Sequence, residues 1–255
     1  MTNALIGYTG FVGGNLRAAR KFDALYNSSN VADAAGRAFD EVVFSAAKAE
    51  KWRINQEPER DAAHIAELEG ILSSFEARRL VLISTVDVYR DPVAVDEATV
   101  PETEGLHAYG LHRLQLEQFA RERFDEVLIV RLPGLFGPGI KKNVIFDLLN
   151  DNNIDRIHPD GEFQYYDLTR LADDLDIARA AGLELVNLAT EPVSTRRVAT
   201  EVFGRDLTAP DGVSAGRYDM RTRHGEVWGR HDGYLASASE VVDAIDAFVQ
   251  SERSR

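Results

Sequence analysis

Apolar residues fall in short, unbroken runs along this chain: "ALIG" (4–7), "EVVFSAA" (41–47), "RLVLIST" (79–85), "EVLIVRLP" (126–133) and "LELVNLA" (183–189). Runs of this length without polar alternation predict strands covered on both faces. A further strand is expected in "DALYNSSN" (23–30). Between these runs the period changes. Residues 58–77 carry Ile65, Leu68, Leu72 and Phe75 at helical spacing with Pro58 in the first turn, which predicts an amphipathic helix. Residues 104–124, rich in Leu, Gln, Glu and Arg and free of proline, predict a second. The segment 237–249 opens on Ser237 with Glu240 three positions on, a capping-box pattern, and predicts a closing helix.

Strands alternating with helices imply an α/β fold built on a doubly wound parallel sheet. The rhythm breaks after 137, where "GPGIKKN" and "NDNNIDRIHPDGEF" are rich in turn formers. The expected organisation is a sheet domain over 1–138 that also takes in roughly 164–190. Residues 139–163 and 191–255 then form a smaller C-terminal lobe.

The first strand runs straight into "GYTGFVGG", with Gly7, Gly10 and Gly13 three apart and Gly14 following. A glycine turn between a first strand and a helix lets the backbone approach a pyrophosphate at the helix N-terminus. This makes Gly7, Gly10, Phe11, Val12 and Gly13 candidates for holding a dinucleotide. The second strand ends on Asn27, Ser28, Ser29 and Asn30. Neither a carboxylate for the ribose nor an arginine for a 2′-phosphate stands there, so NAD and NADP both stay open.

Composition narrows the field. A hydrophobic content of 44% and a charged content of 28% suit a globular protein with a real core. The net charge of −13 argues against a nucleic-acid partner. With no cysteine, thiolate chemistry and Cys-based metal sites are excluded, and the six histidines show no ligand spacing, so no metal is expected. No signal-like start or membrane-length apolar run is present, and a cytoplasmic protein without membrane contact is expected.

"GYTGFVG", "ISTVDVY", "YGLHR" and "RLPGLFGPG", in that order, resemble the motifs of the extended short-chain dehydrogenases/reductases. This is the group of nucleotide-sugar epimerases, dehydratases and reductases. The resemblance covers about residues 1–190. It implies a Rossmann-type sheet binding NAD or NADP, a small C-terminal lobe for a nucleotide-activated sugar, and a homodimer. It places Thr85 on the reacting hydroxyl, Tyr109 as the catalytic tyrosine, and Arg113 where the family carries lysine. Ala46, Ala47 and Pro133 fall at cofactor positions, and Ser84 and Asp87 on the substrate side. Asn143 with Lys142 or Lys141 falls where the substrate diphosphate is held, with a solvated lysine pair before a helix as the alternative. The acid–base carboxylate pair of the dehydratases is incomplete, since Val86 and Asp87 follow Thr85, which disfavours dehydration. The family's helix-borne asparagine has no counterpart, and His64 stands nearest.

A tyrosine titrates near pH 10, so acting as a base near neutrality needs about three units of depression, or about 4 kcal/mol. Tyr109 and Arg113, four apart on a helix, share a face and could supply part of it. The resemblance thus implies an epimerase or reductase working by hydride transfer at a hydroxyl or carbonyl carbon. Arg113 and the missing asparagine motivate a second reading, a dinucleotide-binding protein that senses redox state or serves as a partner subunit.

Overall fold

Val42, Val43 and Phe44 are fully buried in the third strand, with Leu80, Val81 and Leu82 beside them in register. Both faces of these strands are covered, which is why their sequences show no alternation. The computed structural model describes residues 2–254. Its strands are β1 (Asn3–Ile6), β2 (Ala24–Tyr26), β3 (Ala38–Phe44), β4 (Glu76–Thr85), β5 (Val93–Val95), β6 (Val127–Leu132), β7 (Gly134–Phe136), β8 (Glu162–Phe163), β9 (Tyr165–Asp167), β10 (Leu185–Asn187), β11 (Val193–Ser194) and β12 (Asp219–Met220). Its helices are α1 (Phe11–Ala19), α2 (Lys51–Gln56), α3 (Pro58–Ser73), α4 (Ala108–Arg123), α5 (Val144–Leu149), α6 (Leu171–Ala180), α7 (Thr195–Phe203) and α8 (Ala238–Arg253).

Six strands form one parallel sheet in the order β10-β6-β4-β3-β1-β2, the doubly wound Rossmann-type architecture. Each apolar run of the sequence supplies one of its strands. The helix expected over 58–77 ends at Ser73, because Phe75 leaves it to pack between Phe39 and Phe124, with ring centroids 5.8 and 5.9 Å away. The helix expected from 104 starts at Ala108, where the His107 ring accepts a hydrogen bond from the Gly110 N–H at 3.0 Å. Around the sheet, Ile65, Leu68 and Leu72 of α3 and Leu116 and Ala120 of α4 join Ile6, Val42, Phe44, Leu80 and Leu82 in one apolar core.

The chain divides into two compact units. The first takes the chain up to Asp91, Thr99–Arg131 and Leu171–Val186, and holds the sheet with α1–α4 and α6. The second takes Pro92–Ala98, Leu132–Arg170 and the chain from Asn187 onward. Residues 92–98, 132–138, 164–170 and 187–190 therefore lie in the second unit. There β5 pairs with β12 and β7 with β9 in ladders separate from the main sheet. Gln164 ties this unit together by donating to the carbonyls of Thr190 and Met220 and accepting from the Met220 N–H. At α8 the capping box forms as the sequence implies, Ser237 and Glu240 each serving the other's backbone.

Candidate active site

The glycine turn sits at the carboxyl end of β1, between β2 and β3, the crevice where ligands bind in sheets of this class. Gly7 has φ +94°, and a Cβ there would lie 2.7 Å from the Ser45 carbonyl. At Gly13 a Cβ would press 2.8 Å from the Gly7 carbonyl carbon and 2.9 Å from Ser45 Oγ, so α1 crosses β1 at the closest possible approach. Gly10 is the N-cap of α1, with no side-chain cap and no acid in the first turn. The positive end of the helix is left without a counter-charge. Phe11 and Val12 begin the helix, and Ala46 and Ala47 follow β3 on the other side of the turn. At the end of β2, Asn27 is tied into its own turn by Ser29 and donates to the Tyr8 hydroxyl at 3.2 Å, while Ser28 is exposed. The exposed Arg17 guanidinium stacks 5.3 Å from the Tyr8 ring.

The second half of the site lies at the carboxyl end of β4. Thr85 caps the turn that follows by accepting from the Asp87 N–H at 3.2 Å, and its hydroxyl acts on the Tyr109 phenol in the direction that favours phenolate. Tyr109 is 7% exposed. Burial pushes its phenol above the ordinary tyrosine value, and the Arg113 charge offsets this only in part.

Gly110 makes this geometry possible. A Cβ at 110 would overlap the Asp87 carbonyl oxygen and lie 3.0 Å from Leu106 Cδ1. Alanine for glycine in an exposed helix would stabilise by up to about 1 kcal/mol. Here Gly110→Ala is expected to destabilise by about 1–3 kcal/mol through overpacking, read as a lower urea midpoint with unchanged slope.

Arg113 does not occupy the position of a freely donating lysine. It is 3% exposed, and its guanidinium lies 4.8 Å from the Tyr109 ring centroid. Nη1 and Nη2 donate to the Asp61 carboxylate at 3.0 and 3.3 Å, and Nη2 also donates to the Lys48 carbonyl. The same carboxylate faces His112 Nδ1 at 2.8 Å. Burial would raise the Asp61 carboxyl, but the hydrogen bond and charge of Arg113, with His112 behind it, hold it below the usual range. Asp61 is a site residue that sequence reading misses. Its only signal is a carboxylate at a position of α3 that turns toward the core.

An asparagine also appears where the resemblance finds none. Asn55 of α2 accepts from the Tyr109 backbone N–H at 3.0 Å, whereas His64 faces Glu67. One turn earlier, Lys51 Nζ pairs with Asp87 Oδ1 at 2.6 Å. Ser84 departs from its expected role. It points away from Thr85, as strand neighbours do, and donates to Glu117, which is bound by Arg131 at 2.6 and 3.0 Å. Arg131 also reaches the Tyr89 hydroxyl at 2.7 Å, so this buried chain links β4, α4 and β6.

The remaining candidates lie in the second unit. The Asn143 side chain is spent on structure: Oδ1 caps α5 by accepting from Ile145 and Phe146, and Nδ2 donates to the Leu135 carbonyl at 2.8 Å. This cap, not an anion clamp, explains asparagine at a residue with φ +96°. Lys141 and Lys142 are exposed, and Pro133 is buried just after β6. Tyr165 and Tyr166 are buried, and with Arg170 and Asp167 they line a cavity of about 80 Å³. Among the described residues no cluster could hold a metal ion, and no helix is long and apolar enough to cross a membrane.

No protein-family model matches the chain, and no curated protein matches it by sequence. Its fold is nonetheless closely shared with solved structures. The dTDP-4-dehydrorhamnose reductase of Bacillus anthracis in complex with NADP superposes with a TM-score of 0.75 at 15% identity, over 98% of this chain and 100% of that one. MoeE5 in complex with UDP-glucuronic acid and NAD gives 0.74 at 19% identity over the whole of both chains. The UDP-glucose 4-epimerase of Thermotoga maritima with UDP-glucose gives 0.71 at 15% identity, over 100% of this chain and 99% of that one. The chain thus has the fold of the nucleotide-sugar epimerases and reductases.

Proposed function

We propose that this chain is an NAD(P)-dependent oxidoreductase of the extended short-chain type that reduces a carbonyl on a nucleotide-activated sugar or a related polyol. One observation carries the reading. Tyr109, fixed by Asn55 through its backbone N–H and lying against the Arg113 guanidinium, stands on α4 beside the turn that Thr85 caps at the carboxyl end of β4, in the same unit as the glycine turn. Gly7, Gly10 and Gly13 and the free end of α1 suit a pyrophosphate, so the residues present fit a dinucleotide. When bound, that cofactor supplies the hydride.

Tyr109 and Thr85 would hold the carbonyl oxygen between two hydroxyls, and Tyr109 would give it a proton as the carbon is reduced. Arg113 steadies the phenol through charge from over its ring, its Nη1 and Nη2 being committed to Asp61 and the Lys48 carbonyl. Arg17, beside Tyr8 and Asn27 near the end of β2, sets positive charge where no carboxylate stands and favours the 2′-phosphate cofactor. The nucleotide-sugar half of the reading rests on the ligands of the fold neighbours, UDP-glucose, UDP-glucuronic acid and NADP among them.

Calorimetric titration with NAD⁺, NADH, NADP⁺ and NADPH, each with and without UDP or dTDP, tests this. NADPH is expected to bind most tightly, and a nucleoside diphosphate to strengthen it. No binding of any of the four dinucleotides would reduce the glycine loop to a turn and end the enzymatic reading. Binding without any effect of UDP or dTDP would retain the oxidoreductase and discard the nucleotide-sugar.

A further inference from the structure

Tyr109 is buried, so a proton it gives away must be returned by a group in contact with water. Arg113 cannot return it. A guanidinium does not deprotonate in proteins, and this one is enclosed by Asp61 and the Lys48 carbonyl. The His107 ring, 6.3 Å from that of Tyr109, uses Nδ1 to cap α4.

Helix α2 brings a different cation. Lys51 and Asn55 are four apart and share a face of that helix. Asn55 fastens the face to α4 through the Tyr109 N–H. Lys51 then reaches Asp87, whose own N–H is bonded to the Thr85 hydroxyl. The Lys51 side chain is 36% exposed, against 3% for Arg113, so it meets solvent at one end and the site at the other. Its positive charge acts on both Tyr109 and His107, favouring phenolate at the first and neutral imidazole at the second.

We propose that Lys51 is the proton-relay residue of this site, carrying protons from solvent to Tyr109, with Asp87 holding the ammonium in place between transfers. The proposal rests on the reading of Tyr109 as proton donor. The Tyr109 O–H bond breaks as the substrate oxygen takes the proton; a bound reduced dinucleotide would supply the hydride to the adjoining carbon. The phenolate then accepts a proton from the Lys51 ammonium, and the neutral amine regains one from water. No electrons move in the relay. Two cations thus divide the work: Arg113 is a permanent charge fixed under the ring, and Lys51 is the one that can exchange a proton.

Proton exchange at Tyr109 can be measured without substrate. In protein labelled at tyrosine Cζ with ¹³C and dissolved in equal H₂O and D₂O, the isotope shift at Cζ reports the exchange rate of each hydroxyl, and Tyr109→Phe identifies the signal. Positioned acid–base groups accelerate proton transfer by about a hundredfold or more, so Lys51→Met is expected to slow exchange at Tyr109 by at least about tenfold. Lys51→Arg is expected to slow it as well, because a guanidinium keeps its proton, and His107→Asn, which retains a capping side chain, to leave it unchanged. Unchanged exchange in Lys51→Met, or a loss in His107→Asn instead, would overturn the relay. Failure of the chain to bind any dinucleotide would sink the oxidoreductase reading while leaving this exchange measurement to stand on its own.

Discussion

Asp61→Ala is expected to lower the unfolding free energy by about 3–5 kcal/mol, because it leaves the Arg113 guanidinium buried without its counter-charge. Arg113 is 3% exposed and Asp61 4%, so water cannot replace either partner cheaply. The removal also frees His112 Nδ1, which faces the same carboxylate. Chemical denaturation measures the loss. The double variant Asp61→Ala/Arg113→Met is expected to be less destabilised than the two single losses added together, because no charge is then stranded. Additive losses would mean that the two side chains are not coupled.

The pH dependence has a definite sign. The folded-state pKa of Asp61 is depressed, so the stability the group lends is present above the unfolded carboxylate value near pH 4. That stability is lost as pH falls through the lowered folded value. The gap between wild type and Asp61→Ala should stay level from pH 7 to 5 and close only in stronger acid.

Tyr109→Phe is expected to reduce turnover of a nucleotide-linked ketosugar roughly a hundred- to ten-thousand-fold, the usual contribution of a positioned proton donor. The dinucleotide affinity should be unaffected, since the phenol stands at β4 and the glycine turn at β1. Because burial raises the phenol above its ordinary value, the rate of reduction should not rise between pH 7 and 9. A rise with pH would identify Tyr109 as a base and favour the epimerase. If Tyr109→Phe left the protein's function intact, the alternative of a non-catalytic dinucleotide sensor would replace the enzyme.

These predictions separate what was legible in the sequence from what was not. The elements that carry Thr85 and Tyr109 are legible because each lies in a local pattern, a strand end and the first turn of a helix. The glycine turn could be placed for the same reason, since its spacing follows directly on an apolar run. The partner of Ser84 is not written beside it, because neighbours on a strand face opposite ways, and only the packing of α4 brings Ser84 to Glu117. Asn143 matched a binding position but is consumed by the cap of a helix too short to announce itself in the sequence. Asp61, Asn55 and Lys51 carried no motif, because what marks them is contact with Arg113, the Tyr109 N–H and Asp87, all far along the chain.

From the sequence alone came the parallel α/β fold, the glycine turn at its first strand and the tyrosine at its fourth, since strand burial, helix periodicity and turn chemistry are written in consecutive residues. How the cations near that tyrosine are paired was decided by the tertiary structure. Arg113 is neighbour to Tyr109 in the chain, yet Asp61 from α3 takes its Nη donors, and α2 sets a second cation, Lys51, against Asp87 at the exposed edge. Charge pairing acts through space, and its partners are fixed only when the helices pack.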